Sequence, residues 1–392
     1  MNIEQGRGVT TPAGFRAAGV AAGIKSSGAR DLALVVNDGP RQEAAGVFTT
    51  NAVKAAPVLW SSQVLTERRL HAVVLNSGGA NACTGPEGFQ DTHATAEQVA
   101  DTLGVGAIEV AVCSTGLIGE RLPMDRVSMG VAAAAGELDS SQQAGFAAAE
   151  AVLTTDTRAK QACATHPDGW SIGGFAKGAG MLAPNLATML SVLTTDAVLD
   201  EVQLDAALRY AVRLSYDRLD VDGGTSTNDT VLVLASGASG VRPDPGAFQE
   251  WLTAVCDDLV RQLRADSEGV TKEVDLHVRG AASEADAERI GRTVAEDNLV
   301  KTALFGSDPN WGRIAMATGR AGVPLDAQQL EITVNGVVLF AAGQPVGDRS
   351  AADLSGRFVE IIVDLHAGEA EATILTTDLS HHYVEENSAY SS

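Results

Sequence analysis

Apolar runs alternate with stretches of helical periodicity in the first third of the chain. Residues 31–38, 71–76 and 108–115 are short segments rich in Leu, Val and Ala, which is typical of buried strands. Between the second and the third run, apolar residues recur at helical spacing until Gly104 stops the helix. This alternation of strands and helices predicts a layered α/β fold.

The same kinds of pattern continue in the second half of the chain. Residues 189–195 form another strand-like run, and helices are predicted around 199–219 and 248–263. Ser283 is expected to cap a further helix, because Asp286 stands three residues later. Neither an internal repeat nor a low-complexity linker interrupts the sequence, so the chain reads as folded throughout.

The last quarter has signals of β-hairpins. Asn335-Gly336 separates two short apolar runs and is a strong two-residue turn signal. The segments 358–364 and 370–376 flank a short polar stretch, and we expect them to pair as a second hairpin.

Composition narrows the classes of partner. The 392 residues are 45% hydrophobic, which is enough for a full-sized core. The formal net charge of −22 repels phosphate groups and argues against nucleic acid or anionic membranes as partners. The four cysteines include no C-x-x-C pair, and no segment has the length of a membrane helix or the character of a secretory signal. We expect a soluble, cytoplasmic protein.

A glycine-rich segment leading to Thr188 is the strongest candidate for chemistry. Cleavage of the Ala187–Thr188 bond would give Thr188 a free α-amino group beside its own hydroxyl, so that one residue holds nucleophile and base. An α-amino group titrates near pKa ~7.7 to 8.0 and is therefore a useful base at neutral pH. Gly178 and Gly180 add flexibility ahead of the bond. An ordinary turn before a core strand explains the local pattern as well.

Motifs along almost the whole chain resemble the ornithine acetyltransferase (ArgJ) family. They occur in order and are NSGGANACTG at 76–85, STGLIG at 114–119, KGAGMLAPNLATML at 177–190, TNDT at 227–230, KTALFGSDPNWGR at 301–313 and VEENSAYSS at 384–392. The resemblance implies an enzyme that moves an acetyl group from N-acetylornithine to glutamate in arginine biosynthesis. No cofactor is implied, although acetyl-CoA is a possible second donor.

The resemblance also implies a fold and a processing event. The expected fold is an α/β (α+β) protein with an αββα layered sandwich and a smaller α/β domain in the C-terminal part. Self-cleavage would divide the precursor into an α chain, 1–187, and a β chain, 188–392, as one intertwined catalytic unit. The expected assembly is a heterotetramer of two α and two β chains.

By the same resemblance, individual residues acquire expected roles. Thr188 matches the nucleophile, and Thr115 and Gly116 match the pair that stabilises the oxyanion. From the residues alone, the turn at 114–116 is equally an ordinary strand-to-loop turn. The residues that match contacts to the amino-acid substrate are Thr154, Lys177, Thr188, Glu268, Asn387 and Ser392.

Other catalytic constellations are not supported by the sequence. There is no H-E-x-x-H motif, and His381 and His382 would point in opposite directions on the extended segment expected there, so we expect no metal site. A phosphate-binding G-x-x-x-x-G-K-[ST] loop and the G-x-S-x-G motif of serine hydrolases are also missing.

Two other functions compete with the acetyltransferase. An aminopeptidase or amidase with the same N-terminal threonine would pass the acyl group to water instead of glutamate. A non-catalytic amino-acid sensor would keep the pocket and lose the nucleophile, whereas this chain has a threonine at 188. Ornithine release that does not depend on glutamate would favour the aminopeptidase or amidase over the acetyltransferase. An intact, uncleaved chain in mass spectrometry would favour the sensor.

Overall fold

The computed structural model describes residues 1–182 and 189–389, which form two compact units. The first unit comprises residues 1–217 and 224–266. The second comprises Arg218–Gly223 and the described residues from Ser267 onward. The boundary between compact units therefore falls near residue 266 and not near residue 187.

The first unit consists of two sheets and the helices that cover them. Its strands are β1 (Glu4–Gln5), β2 (Phe15–Val20), β3 (Leu32–Asn37), β4 (Glu43–Phe48), β5 (Ala72–Asn76), β6 (Val110–Ser114), β7 (Lys160–Thr165), β8 (Ser171–Lys177), β9 (Leu190–Thr195) and β10 (Thr230–Ala235). Its helices are α1 (Ala56–Val64), α2 (Gly85–Leu103), α3 (Met124–Gly136), α4 (Gln142–Glu150), α5 (Glu201–Leu214) and α6 (Pro245–Ala265).

The two sheets pack face to face. The larger has the strand order β1-β7-β8-β9-β10-β4 and the smaller the order β2-β3-β5-β6. One hydrophobic core joins Val35 and Leu75 of the smaller sheet with Phe175 and Val192 of the larger, all of them buried. Helices α5 and α6 contact the larger sheet, and α1 to α4 contact the smaller. This arrangement is the αββα sandwich expected from the resemblance.

One end of the larger sheet gathers the segments that matter for function. Strand β8 ends at Lys177, which lies opposite Leu190 at the start of the antiparallel β9. Leu190 in turn lies opposite Thr230, the first residue of the parallel β10. Met189, the residue before β9, and the TNDT motif at the start of β10 therefore meet beside Lys177.

The second unit has one sheet covered by helices. Its elements are β11 (Glu273–Ala281), α7 (Glu284–Ala295), α8 (Asn298–Phe305), α9 (Trp311–Arg320), β12 (Glu331–Val334), β13 (Val337–Ala341), β14 (Gln344–Pro345), β15 (Phe358–Asp364), β16 (Ala370–Thr377) and α10 (His381–Ala389). The strand order is β14-β13-β12-β15-β11-β16, and α7 packs on β11 and β16. This is the smaller α/β domain that the resemblance implies.

Several local predictions are confirmed. Helix α2 ends at Gly104, which has a left-handed conformation with φ 73°. The Ser283 side chain accepts a hydrogen bond from the Asp286 N–H and caps α7. Asn335 and Gly336 both have positive φ, 45° and 77°, and join β12 to β13 in a tight hairpin.

The predicted pairing of 358–364 with 370–376 is wrong. Strand β11 lies between β15 and β16, parallel to the first and antiparallel to the second. The connecting loop crosses the end of β11 at Gly280, where the Gly280 carbonyl accepts from the Ala367 N–H at 2.7 Å. A β-carbon on Gly280 would lie 2.7 Å from the His366 nitrogen, so the close crossing depends on glycine.

Other boundaries also differ from prediction. The helix expected over 199–219 is α5 followed by a 3-10 turn, because the Ser215 hydroxyl bonds the Ala211 carbonyl near the helix end. The strand expected from residue 108 begins only at Val110.

The expected extended segment at His381 and His382 is helix α10. The Ser380 hydroxyl accepts from the Tyr383 N–H and starts this helix. The opposite orientation argued from an extended chain therefore does not apply. Among the described residues, no group of three or more His, Cys, Asp and Glu side chains could hold a metal ion. Within the same ranges, no helix has the length and apolar character needed to cross a membrane.

Candidate active site

The turn after β6 is held rigidly between neighbouring segments. The Thr115 N–H donates to the Asn76 carbonyl at 2.9 Å, and the Thr115 carbonyl accepts from the Gly79 N–H at 3.0 Å. One residue earlier, the Ser114 hydroxyl bonds the Asn76 amide oxygen at 2.5 Å. These bonds fix the turn to the NSGGANACTG motif, one of the motifs that carry the family resemblance.

Gly116 occupies a position that no other residue fits. Its φ is +132°, and a β-carbon there would lie 2.6 Å from the Gly79 nitrogen. Among the described residues, no hydrogen bond occupies the Gly116 N–H. With the hydroxyl of the buried Thr115, the turn therefore offers two adjacent donors, the chemistry that an oxyanion requires.

Lys177 joins the turn to a second predicted residue. Its ammonium donates to the Thr154 hydroxyl at 2.8 Å and to the Thr115 hydroxyl at 3.3 Å. The Lys177 side chain is only 1% exposed, whereas Thr154 lies at the surface. The structure thus brings together Thr115, Gly116, Thr154 and Lys177, four of the residues named by the resemblance.

Asp156 supplies the negative charge beneath this cluster, and sequence reasoning missed it. Its carboxylate bonds the Lys160 ammonium at 2.6 Å and the Gly178 N–H at 2.7 Å, and lies 3.8 Å from the Lys177 ammonium. Burial opposes ionisation of Asp156, but Lys177 and Lys160 outweigh it and hold its pKa well below its usual value. Asp266 binds the other side of Lys160 at 2.6 Å.

Lys25 supports the same region from another segment. Its ammonium donates to the Leu153 carbonyl at 2.6 Å, immediately before Thr154. Burial lowers the pKa of Lys25, with the neighbouring Asp31 carboxylate opposing the shift and Lys177 adding to it. A second lysine therefore fixes the loop that carries Thr154.

The TNDT motif connects the turn to the start of β9. The Asn228 side-chain amide donates to the Ala80 carbonyl at 2.6 Å and to the Ser114 carbonyl at 2.8 Å. The next residue, Asp229, is fully buried and accepts from the Met189 N–H at 2.9 Å. TNDT is one of the motifs that carry the family resemblance, and the sequence alone assigns it no function.

A small pocket lies over the turn. Its lining combines the two candidate oxyanion donors with apolar side chains and the TNDT segment, and consists of Ala80, Thr115, Gly116, Ile118, Met181, Ser226, Thr227 and Asn228. A polar turn at the wall of a partly apolar pocket suits a small acyl group.

The second unit holds another pair of predicted residues. Glu268 is 6% exposed, and its carboxylate accepts from the Asn387 side-chain amide of α10 at 2.8 Å. Helix α10 packs closely on the neighbouring Gly269, where a β-carbon would lie 2.2 Å from the Tyr383 nitrogen. The structure therefore brings Glu268 and Asn387 together. Of the other predicted site residues, Ala187, Thr188 and Ser392 lie outside the described residues.

Comparison with known proteins gives full-length matches. Residues 16–392 match the model of the ArgJ family. The arginine biosynthesis bifunctional protein ArgJ of Mycolicibacterium paratuberculosis is 60% identical over 98% of this chain and 97% of its own length. The protein of the same name from Streptomyces coelicolor is 58% identical over 98% of this chain and 100% of its own.

A solved ornithine acetyltransferase from Mycobacterium tuberculosis, complexed with ornithine, is 64% identical to the part of this chain that it matches. The match covers 47% of this chain and 100% of that chain, with a TM-score of 0.47.

Proposed function

Because this chain belongs to the ArgJ family, we propose that it transfers an acetyl group from N-acetylornithine to glutamate through an acetyl ester on Thr188. The chain is an acetyltransferase of arginine biosynthesis, and its relatives match it over nearly their whole length. The route through Thr188 is the new element of the proposal. It is supported by the motif at 177–190 and by the arrangement around Thr115 and Lys177.

In the first half-reaction, the Thr188 hydroxyl attacks the acetyl carbonyl of N-acetylornithine while its own α-amine accepts the hydroxyl proton. The Thr115 hydroxyl and the Gly116 N–H stabilise the negative charge that develops on the carbonyl oxygen. Ornithine then leaves with the proton held by the amine. In the second half-reaction, the amine of glutamate attacks the acetyl ester and regenerates Thr188.

The observation that carries the proposal is the placement of Lys177. Its ammonium contacts both Thr115 and Thr154, so a cation lies directly beside the candidate oxyanion donors. We propose that Lys177 and Thr154 bind the α-carboxylate of the amino-acid substrate, because an ammonium forms strong charge-assisted bonds with carboxylates. The acetyl group would then lie at the turn formed by Thr115 and Gly116.

The deciding experiment measures ornithine release from N-acetylornithine with and without glutamate. Release that depends on glutamate, with one N-acetylglutamate formed per ornithine, is the expected result. Release at an equal rate without glutamate would identify a hydrolase and overturn the proposal. Thr188→Ala is the blank, because it lacks the nucleophile and should release nothing.

We propose that these half-reactions need no cofactor and that acetyl-CoA serves as a second acetyl donor. The support for the second donor is the name of the relatives, which are called bifunctional proteins. The test is the formation of N-acetylglutamate from acetyl-CoA and glutamate. The readout is the free thiol of CoA, which is released when the acetyl group is transferred. An absence of thiol release would leave N-acetylornithine as the donor and withdraw the second activity.

The proposed assembly is a heterotetramer of two 1–187 and two 188–392 chains, located in the cytoplasm. Light scattering of the purified enzyme measures the mass of the assembly directly, and cell fractionation measures its location.

Glu268 and Asn387 are proposed to bind the side-chain amine of the ornithine moiety. Glu268→Gln keeps the size and a hydrogen-bonding group but removes the charge, so it should raise the KM for N-acetylornithine more than that for glutamate, which lacks this amine. Steady-state kinetics with both substrates test this. An equal loss for both would show that Glu268 supports the pocket without reading the side chain.

A further inference from the structure

The pocket over the oxyanion turn is small. Its volume is about 30 Å³, the scale of a few water-sized groups. Thr115 and Gly116 line it, and the apolar side chains among its described lining residues are those of Ala80, Ile118 and Met181. In an acyl group whose oxygen is bound at the turn, the first carbon of the chain is one bond of about 1.5 Å from the carbonyl carbon. The apolar walls of the pocket therefore limit the length of that chain.

Ile118 is held so firmly that it cannot move aside. The Leu117 carbonyl accepts from the Ala80 N–H at 2.9 Å, and the Gly119 N–H donates to the Ala82 carbonyl at 2.9 Å. Ile118 lies between these two bonds, is half-buried and packs against a small apolar cluster that includes Ala80 and Ala82. Its β-branched side chain also has few accessible rotamers. A longer acyl chain would therefore meet a rigid wall at this position.

The other two apolar walls differ from Ile118. Ala80 is already small, and its carbonyl accepts from the Asn228 side-chain amide at 2.6 Å, which fixes its backbone. Met181 has an unbranched side chain with three rotatable bonds, and such a chain adapts to the shape of its neighbours. Ile118 is thus the apolar wall that is both bulky and fixed.

We propose that Ile118 is a specificity-determining residue that restricts the transferred acyl group to acetyl. The inference rests on the proposed function, in which Thr115 and Gly116 bind the acyl oxygen. The oxygen and methyl group of an acetyl fit a pocket of this size, whereas the additional methylene of a propionyl would enter space that Ile118 fills. One extra methylene in a hydrophobic pocket typically changes kcat/KM by about 10- to 200-fold.

A competition between two acyl donors tests the proposal. N-acetylornithine and N-propionylornithine are mixed at equal concentration with glutamate, and the initial rates of formation of the two N-acylglutamates are measured by mass spectrometry. Their ratio is the ratio of the two kcat/KM values and does not depend on the amount of folded enzyme. We expect the wild type to prefer acetyl by about 10- to 200-fold, and Ile118→Ala to lower this preference about 10-fold or more.

Leu117→Ala is the matched control. Leu117 is the neighbouring residue, its side chain is 37% exposed, and it is not among the described residues that line the pocket. This variant truncates a side chain of equal size in the same loop and should keep the wild-type preference. An equal fall in preference in both variants would show that loosening of the loop, and not the size of residue 118, changes the selectivity, and would overturn the proposal.

The remaining outcomes also decide the proposal. A folded Ile118→Ala variant with the wild-type preference overturns it, and so does a wild type that transfers propionyl as readily as acetyl. If Ile118→Ala does not fold, Ile118→Val decides, because it removes one carbon and keeps the branch. A smaller fall in preference in Ile118→Val supports the role of Ile118, and an unchanged preference overturns it.

Failure of the proposed function gives a different result. If the wild type releases ornithine independently of glutamate, the transfer to glutamate fails and the products are free acetate and propionate. The ratio of these two acids then measures the same acyl preference, and its response to Ile118→Ala still tests the role of Ile118. A glutamate-dependent wild type with an unaltered preference in Ile118→Ala refutes only that role.

Discussion

Lys177 is a charged group that the fold has almost completely removed from water, and this requires compensation. Desolvation of an ammonium costs several kcal/mol unless partners replace the lost water. Asp156 at 3.8 Å supplies the opposite charge, and the hydroxyls of Thr154 and Thr115 supply acceptors. The sequence indicated Lys177, but it gave no sign of Asp156, the carboxylate that compensates the burial of the Lys177 charge.

Asp156→Asn should destabilise the protein strongly at neutral pH. Removing one member of a buried ion pair typically costs about 3 to 5 kcal/mol, and Asp156→Asn removes a carboxylate from Lys177 and one of the two carboxylates that bind Lys160. The pKa of Asp156 is lower in the folded state than its unfolded value of 3.8, so the unfolded chain binds more protons below that pH. Its contribution is present above about pH 4 and is lost as pH falls toward the folded pKa.

The measurement is the urea midpoint of wild type and variant at several pH values from 7 down to about 2, which spans the window below the unfolded pKa. The difference between the two proteins should be largest at neutral pH and should decrease in acid. A difference that stays constant over this range would show that Asp156 is not a stabilising carboxylate.

Thr115→Ala should lower turnover far more than substrate affinity. The Thr115 hydroxyl interacts chiefly with charge that develops in the transition state, and loss of one such donor costs about 2.7 to 4 kcal/mol. We therefore expect kcat to fall by roughly 100- to 1,000-fold with a similar KM. Thr102→Ala, which removes an exposed helical hydroxyl, is the control and should retain activity. An unchanged kcat in Thr115→Ala would remove this residue from the site.

At the scale of residues, the sequence predicted the groups that stand in recognisable motifs. Thr115, Gly116 and Lys177 could be proposed as site residues because their neighbours in the chain carry the family pattern. Asp156 was not found, because its role comes from Lys160 and Lys177 on two antiparallel strands, and no linear spacing encodes that pairing.

At the scale of elements, the position of β11 depends on one glycine. Gly280 has φ +62°, and a β-carbon would lie 2.5 Å from the Asp364 carboxylate and 2.7 Å from the His366 nitrogen. The loop from β15 to β16 crosses at this point. Space for the crossing exists only because the side chain is missing.

Gly280→Ala should therefore destabilise the second unit by more than backbone strain alone, which costs about 1 to 3 kcal/mol. Gly336→Ala is the matched control, because Gly336 also has positive φ, +77°, but has open space around its missing side chain. Thermal midpoints of the two variants should differ, with Gly280→Ala the lower. Equal midpoints would mean that the crossing loop moves aside without cost.

Element type was predictable wherever a local signal decides it. Gly104, Ser283 and Asn335-Gly336 each act through bonds or dihedral angles within a few residues, and each prediction is confirmed. The predicted pairing of β15 with β16 is wrong, because a prediction from sequence takes the nearest strand as the partner. In the structure β11, from far earlier in the chain, lies between them. Long-range insertion of a strand leaves no local pattern.

At the scale of the whole molecule, the proposed cleavage site does not coincide with the boundary between the two compact units. Strand β8 precedes residue 187 and strand β9 follows it, yet the two pair from Ile172 with Thr195 to Lys177 with Leu190. Strand β10, also from the later part, pairs with β4 from the earlier part along its whole length. Cleavage before Thr188 would thus leave both pieces in one sheet and one core.

We predict that the purified enzyme gives two fragments under denaturing conditions, 1–187 and 188–392, that elute together under native conditions. The shared sheet and the common core of β8, β9 and β10 hold them, so separation should require denaturant. N-terminal sequencing and intact mass identify the cut, and Thr188→Ala should run as a single inactive chain of full length. An active enzyme whose second fragment begins at another residue, or that is not cut at all, would refute Thr188 as the nucleophile.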